Sequence, residues 1–191
     1  MKTLKLFVAL SLFFTSMNVN VIAQTNDDDD DDDFSGSQVY TELGGAGVVF
    51  SINYDSRFQK GADRGFGYRV GLGFGIADFY DNYDYVDDYY NSSYETRSYV
   101  TIPLGVNYVF GKKKSAHAFE VGAGMTILTR EVDLYNFDDN SGKGYLIGHT
   151  SFMYRRKPIN GGFTWRIGFT PIIGTAGSIS PSAAVGFGYT F

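Results

Sequence analysis

The residues best equipped for chemistry are carboxylates interleaved with tyrosines between Asp78 and Glu95. Carboxylate oxygens are the ligands that Ca²⁺ takes in proteins. The weak calcium candidates are Asp81, Asp84, Asp87 and Asp88. Because the ordered Asp-x-Asp-x-Asp-Gly spacing of a calcium loop is missing, we predict no firm metal site and no cofactor. A solvated surface loop is the simplest interpretation, and an adhesive surface built on tyrosine is the alternative.

A second set of charged residues lies within segments whose apolar residues alternate strictly with small or polar ones. The central members, of both signs, are Glu42, Arg69, Glu120 and Arg166, with Asp55 and Arg155 beside them. Their position in the alternation places them on the less apolar face. Since an unpaired buried charge is costly, we predict that they pair into one polar network. That network would fill and stiffen an interior, or alternatively line a narrow polar passage.

The chain has few residues that could support nucleophilic catalysis. Cysteine is absent, and the two histidines are His117 and His149. His149 stands beside Ser151 on the less apolar face, whereas His117 lies next to a turn. Neither position suits a serine–histidine pair acting on an external ester, so we predict no catalytic residues.

The elements that position these residues are short segments with a period of two. Their less apolar face is mostly Gly, Ala, Ser and Thr, which suits the lumen of a small barrel and leaves the bulky face for lipid. The predicted fold is all-β: a closed antiparallel up-and-down transmembrane β-barrel of eight strands. The segments are Val39–Leu43, Val48–Arg57, Arg64–Ala77, Ser98–Phe110, His117–Ile127, Tyr145–Arg155, Gly162–Thr170 and Pro181–Phe191.

The strand count depends on the change of phase at Gly44–Gly47. Apolar residues fall at odd positions in Val39–Leu43 and at even positions in Val48–Arg57. A tight glycine-rich turn between two strands explains the change, and a bulge in one long strand would explain it too. We favour the turn, because it yields an even number of strands.

The N-terminal part is predicted to lie outside the barrel. Lys2 and Lys5 precede the apolar run Leu6–Phe14, which is typical of a signal peptide over residues 1–23. Residues 24–37 form an acidic disordered tail, because the run Asp27–Asp33 repels itself. The barrel then occupies residues 38–191.

Connection lengths predict the orientation. With the C-terminus in the periplasm, the short connections 57–64, 111–115 and 156–161 are periplasmic turns. The outer loops are then 44–47, 78–96, 130–144 and 172–180, and they include all the long connections, as outer-membrane barrels require.

The last strand resembles the assembly signal of bacterial outer-membrane barrels. Val185, Phe187, Tyr189 and Phe191 share one face, and the chain ends on that aromatic residue. The segments Tyr99–Tyr108 and Phe163–Pro171 also resemble Bacteroidota-type porin-family barrels, and the chain is similar to the OmpA/OmpX-like size class. This resemblance implies a monomer in the cell outer membrane. Its partners would be membrane lipid, lipopolysaccharide and the barrel-assembly machinery.

The resemblance indicates the cellular location of the protein better than its activity, since the same fold hosts many roles. We expect a non-enzymatic envelope-structural or surface-binding role, such as adhesion, in which the acidic tyrosine-rich loops contact an extracellular ligand. The alternatives are a lipid-modifying enzyme, as some small outer-membrane barrels are, and a narrow solute passage. No partnership with nucleic acid is expected of an exported barrel.

Overall fold

A computed structural model describes residues 36–80, 94–112, 115–132, 144–174 and 177–191. The predicted signal peptide, the tail before residue 36 and the four calcium candidates lie outside these ranges. The strands are β1 (Gln38–Gly44), β2 (Phe50–Arg57), β3 (Gly65–Tyr80), β4 (Tyr94–Phe110), β5 (His117–Val132), β6 (Gly144–Arg156), β7 (Gly162–Phe169), β8 (Ile172–Ile173), β9 (Ile179–Ser180) and β10 (Ala183–Thr190). Within the described ranges, no helix is both long and apolar enough to cross a bilayer.

The strands form one antiparallel sheet that closes on itself. Each strand from β1 to β6 pairs with the next, and β10 pairs with both β7 and β1. Two breaks fall at prolines, which cannot donate to a ladder. Pro171 separates β7 from β8, and Pro181 lies between β9 and β10. Counting each interrupted pair as one strand gives a closed barrel of eight strands, so the predicted fold class is confirmed.

Alternation along each strand separates two environments. On β3, Phe66 is 67% and Leu72 61% exposed, whereas Arg69 between them is 4% exposed. The barrel therefore presents its large apolar side chains outward and encloses its charged ones. That is the reverse of a soluble barrel, whose bulky apolar side chains fill the interior.

The glycine-rich stretch after β1 is a turn between two strands. A single 3-10 turn, Gly45–Gly47, connects β1 to β2, which pair with each other in antiparallel register from Gln38 with Asp55 to Leu43 with Phe50. The bulged single strand is therefore not what the chain adopts.

Two hairpins extend further than the apolar alternation predicts. β3 and β4 stay paired up to Tyr80 and Tyr94, inside the predicted loop 78–96. β5 likewise continues to Val132, inside the predicted loop 130–144. Backbone hydrogen bonding does not require apolar side chains. The strands therefore stay paired in segments whose polar composition predicted a loop.

Candidate functional site: the barrel lumen

The two ends of the barrel differ, and we name them by what they carry. The terminal end holds Gln38, Phe191 and the short connections 58–64, 111–116 and 157–161. The loop end lies at the opposite ends of the strands, where β3 ends at Tyr80 and β5 at Val132. Between the two ends, the lumen is filled by side chains from all the strands, and their order along the axis defines the site.

Near the terminal end, Asp55 of β2 is the hub. Its carboxylate accepts hydrogen bonds from Arg155 at 3.2 and 2.9 Å and from Gln38 at 3.2 Å, and it also pairs with Arg57. Asn107 of β4 donates a further bond of 2.5 Å. Asp55 is fully buried, so these donors replace the water that an ionised carboxylate would otherwise need.

Above this hub, Glu120 separates two arginines. Arg155 of β6 and Arg166 of β7 are direct cross-strand neighbours, an arrangement of like charges that destabilises a sheet by itself. Glu120 forms an ion pair with both of them, and its Oε1 lies 2.9 Å from Arg166 Nη2. Ser151 donates to the same oxygen at 3.4 Å. One carboxylate from β5 thereby offsets the repulsion between two guanidinium groups on two other strands.

Farther along, Glu42 of β1 lies between two arginines from different strands. Its oxygens are 3.5 Å from Arg69 Nη1 and 3.5 Å from Arg166 Nε. The ring of Tyr40 lies 4.5 Å beneath the Arg166 guanidinium, and its hydroxyl is 3.4 Å from Arg69. The structure thus brings Glu42, Arg69, Glu120 and Arg166 together: Glu42 pairs with Arg69 and Arg166, and Arg166 pairs also with Glu120.

These contacts join into one connected series, which we call the charge ladder. From the terminal end it runs through Arg57, Asp55, Arg155, Glu120, Arg166, Glu42 and Arg69. Acids and bases alternate along it, so every carboxylate touches two guanidinium groups. Such a series rigidifies the interior, because displacing one member leaves its neighbours buried and unpaired.

Inward glycines make room for the large members of the lumen. Tyr99 lies over Gly75 directly across β3 and β4, and a Cβ at Gly75 would overlap its ring. Arg166 lies over Gly186 in the same way, with its Cγ 2.9 Å from where that Cβ would be. The alternating glycines of the sequence are therefore seats for particular cross-strand neighbours, a more specific role than general narrowness of the lumen.

The loop end of the lumen is closed by the turn between β1 and β2. The turn lies at the same end as the other predicted outer loops, and it folds inward: Ala46 is 1% exposed. The Ala46 carbonyl accepts a hydrogen bond of 2.8 Å from Thr126 of β5, and the Gly47 carbonyl one of 3.1 Å from Thr101 of β4. Two threonines on the far wall thus hold the backbone of the turn across the lumen. Nothing in the local sequence pattern identifies these partners.

Val48 completes this closure in a left-handed conformation. Its φ is +73°, which is rare and strained for a β-branched residue. Its side chain packs against a buried cluster of Tyr99, Leu128, Ile147 and Ile172. This cluster supplies the apolar contacts that offset the strained backbone, and it separates the charge ladder from the loop end.

The two histidines have structural partners. His149 lies in the lumen with Nε2 3.0 Å from Arg69 and Nδ1 3.4 Å from the Thr126 hydroxyl. Ser151 donates to Glu120 instead of to His149. His117 lies on the outer face at the terminal end, where Nδ1 contacts the Tyr154 hydroxyl. The described residues therefore place no serine–histidine pair in a position to act on an external lipid.

The terminal mouth is crossed by contacts between turns. Lys157 Nζ donates to the Asp63 carbonyl at 3.1 Å, and Arg64 donates to the Ser115 carbonyl at 2.8 Å. Burial lowers the pKa of the Lys157 ammonium to about 8, with the positive charges of Arg155 and Arg57 acting in the same direction. Its charge therefore changes within a mildly alkaline range.

The residues of the predicted assembly signal lie on the strand that closes the barrel. β10 pairs with β1, placing Val185 opposite Leu43, Phe187 opposite Thr41 and Tyr189 opposite Val39. Phe187, Tyr189 and Phe191 are exposed on the outer face. The backbone N–H of Phe191 donates to the Ser37 carbonyl at 2.9 Å, so even the last residue is tied to the seam.

Comparisons with known proteins give a distant structural likeness. No family model matches the chain, and no curated protein matches it significantly. A solved structure, the N-terminal β-barrel domain of Pseudomonas aeruginosa OprF, is similar at 13% identity and a TM-score of 0.47. That similarity covers 81% of this chain and 95% of the other. A likeness at this level has no bearing on function. Any functional assignment must therefore rest on the arrangement of the side chains.

Proposed function

We propose that this barrel resides in a bacterial outer membrane and has a non-enzymatic envelope role, structural or ligand-binding, through its acidic tyrosine-rich loops. The observation that carries the proposal is the inverted distribution of polarity. Phe66, Leu72 and Phe169 are more than 60% exposed, whereas Glu42 and Asp55 are fully buried. Most strands expose large apolar side chains on the outer face, which is unfavourable in water and favourable in hydrocarbon.

The filled lumen favours this role over a solute passage. The charge ladder occupies the terminal half, and the inward turn with the cluster around Val48 occupies the loop half. An eight-strand barrel has an interior just wide enough for side chains. A passage would require these groups to move apart, with loss of their buried ion pairs.

The loops then carry the ligand-binding part of the proposal. In the orientation predicted from connection lengths, the loop that contains Asp81, Asp84, Asp87 and Asp88 would lie on the cell exterior. Interleaved tyrosines would supply apolar area and hydrogen bonds to a ligand, with outer-membrane lipid and lipopolysaccharide surrounding the barrel. The paired residues Tyr80 and Tyr94 define where this loop can be replaced without disturbing the ladder.

The test replaces residues 81–93 with a short Gly/Ser linker and, as a matched control, replaces residues 133–143 in the same way. Cells carrying each variant are assayed for binding to glycan and host-protein surfaces. We expect the first variant to lose binding and the second to retain it. Equal binding by all three proteins would refute the binding role.

Orientation and membrane insertion have separate readouts in the same cells. An epitope inserted in 81–93 should be accessible on intact cells, and one inserted in 58–64 only after lysis. The extracted barrel should migrate differently on gels before and after boiling. The opposite accessibility, or identical migration, would contradict the outer-membrane assignment itself.

A further inference from the structure

The terminal end carries a belt of aromatic rings on the outer face of the barrel. Consecutive rings, on neighbouring strands or two residues apart on β4, lie close together, with centroid distances from 4.8 to 6.3 Å. In order around the barrel they are Phe66, Tyr108, Phe110, Phe119, Tyr154 and Trp165. Aromatic rings concentrate where hydrocarbon meets headgroups, so the belt indicates the depth of that boundary.

One arginine interrupts this belt on its outer face. Arg156 of β6 is the direct cross-strand neighbour of His117 on β5 and of Trp165 on β7. Such neighbours have Cβ atoms about 4.5–5.5 Å apart, so the three side chains share one small area. Tyr154 forms part of the same area, since its hydroxyl contacts His117 and its ring lies 5.3 Å from Trp165.

Arg156 differs from the arginines of the lumen in having no side-chain partner among the described residues. Its side chain is exposed, and it forms no ion pair or hydrogen bond with another described side chain. Arg155, one residue earlier and facing inward, pairs with both Asp55 and Glu120. A guanidinium held between aromatic rings at the hydrocarbon boundary therefore has its donors available to a ligand from the membrane.

The surroundings favour an anionic ligand. Beyond the belt, the described turns of the terminal end hold Lys60, Arg64, Lys112 and Lys157 against the single acid Asp63. Each basic side chain near a membrane surface attracts anionic lipid. Guanidinium groups bind phosphate through paired hydrogen bonds, which an ammonium does not match in geometry.

We propose that Arg156, His117 and Trp165 form a binding site for the headgroup of an anionic phospholipid in the leaflet at the terminal end. Arg156 donates to the phosphate, the His117 imidazole and the Trp165 indole N–H provide further donors, and the acyl chains lie along Tyr154 and Phe119. This inference rests on the proposed membrane location of the barrel.

Trp165 is the sole tryptophan of the chain and serves as the reporter. The full-length mature protein is reconstituted in phosphatidylcholine vesicles that contain increasing fractions of dibrominated lipid, whose bromines quench nearby tryptophan. Dibrominated phosphatidylglycerol is compared with dibrominated phosphatidylcholine. We expect about fivefold tighter association of the anionic lipid, as one basic side chain near a surface would provide.

The variants separate this site from general surface charge. Arg156→Gln should abolish the preference, whereas Lys60→Gln, which removes an exposed charge at the same end but outside the area of His117 and Trp165, should reduce it far less. No preference in the native protein, its persistence in Arg156→Gln, or an equal loss in Lys60→Gln would overturn the site. Quenching by brominated phosphatidylcholine tests membrane embedding independently, so its absence would instead indicate failure of the proposed location.

Discussion

The two halves of the lumen are closed by different physical means. The terminal half is held by ion pairs between side chains on the barrel wall, centred on Asp55 and Glu120. The loop half is held by a backbone turn that crosses the lumen and by apolar packing around Val48.

The difference has a consequence for robustness. An ion-pair series depends on every member, because losing one leaves a buried charge behind. A turn held by two hydroxyls and an apolar cluster can lose one contact and keep the others. Breaking the terminal half should therefore cost more than breaking the loop half.

The largest effect is expected from Glu120→Gln. This substitution leaves Arg155 and Arg166 directly opposite each other without the carboxylate that pairs with both. We expect the free energy of unfolding to fall by about 3–5 kcal/mol, as for other buried pairs that lose one partner. Urea unfolding in lipid vesicles, followed by circular dichroism, measures it.

The matched control for Glu120→Gln is Asp63→Asn, at a half-exposed ion pair with Arg64. Exposed pairs contribute at most about 1 kcal/mol, so this variant should unfold close to the native protein. Equal destabilisation by the two variants would show that the ladder is no more important than surface charge.

A smaller effect is expected from Gly75→Ala in the loop half. The added methyl group would overlap the Tyr99 ring and force it out of the apolar cluster. Overpacking of this kind costs about 1–3 kcal/mol. Gly148→Ala is the control, because its new Cβ would meet Ile173 at an ordinary distance of 3.4 Å. The same urea titration compares them, and a neutral Gly75→Ala would mean that the ring does not need its glycine seat.

The smallest effect is expected from Thr126→Val. The substitution keeps the shape of the side chain and removes the 2.8 Å hydrogen bond to the Ala46 carbonyl. The loss should be about 1–2 kcal/mol, since Thr101 still holds the neighbouring carbonyl.

Thr190→Val controls for the change of side chain, because the buried Thr190 hydroxyl has no hydrogen-bond partner within the part of the chain that the structure describes. Unfolding of the two variants is compared under identical conditions. If Thr190→Val were the more destabilising of the two, the inward turn would not depend on its threonine.

The sequence could predict most of the strands that form the barrel wall, but few of the contacts that close the lumen. The alternation between Arg64 and Ala77 predicted β3 and the face on which each of its side chains lies. Successive side chains of a strand point to opposite faces, whatever they contact in the folded protein. The same pattern placed Glu42, Arg69, Glu120 and Arg166 on one face. It could not show that Glu120 lies between Arg155 and Arg166, because that depends on the register between β5, β6 and β7.

The inward packing of the first turn is the main feature that the sequence did not show. Gly44–Gly47 has the composition of an exposed loop, and the bonds that draw it inward come from Thr126 and Thr101, far away in the chain. Local composition contains no information about such partners. Only the closed barrel brings the far wall within hydrogen-bonding distance of the turn.

By itself, the sequence determined which residues face each side of the wall, since a period of two is a local property of extended chain. It also favoured eight strands over seven, because bacterial single-chain barrels have even numbers of strands, and the structure then decided between them. The tertiary structure alone decided which charged side chains pair, which glycine leaves room for which aromatic ring, and that the first turn closes the lumen. These depend on register and closure, which are properties of pairs of strands and not of any one segment.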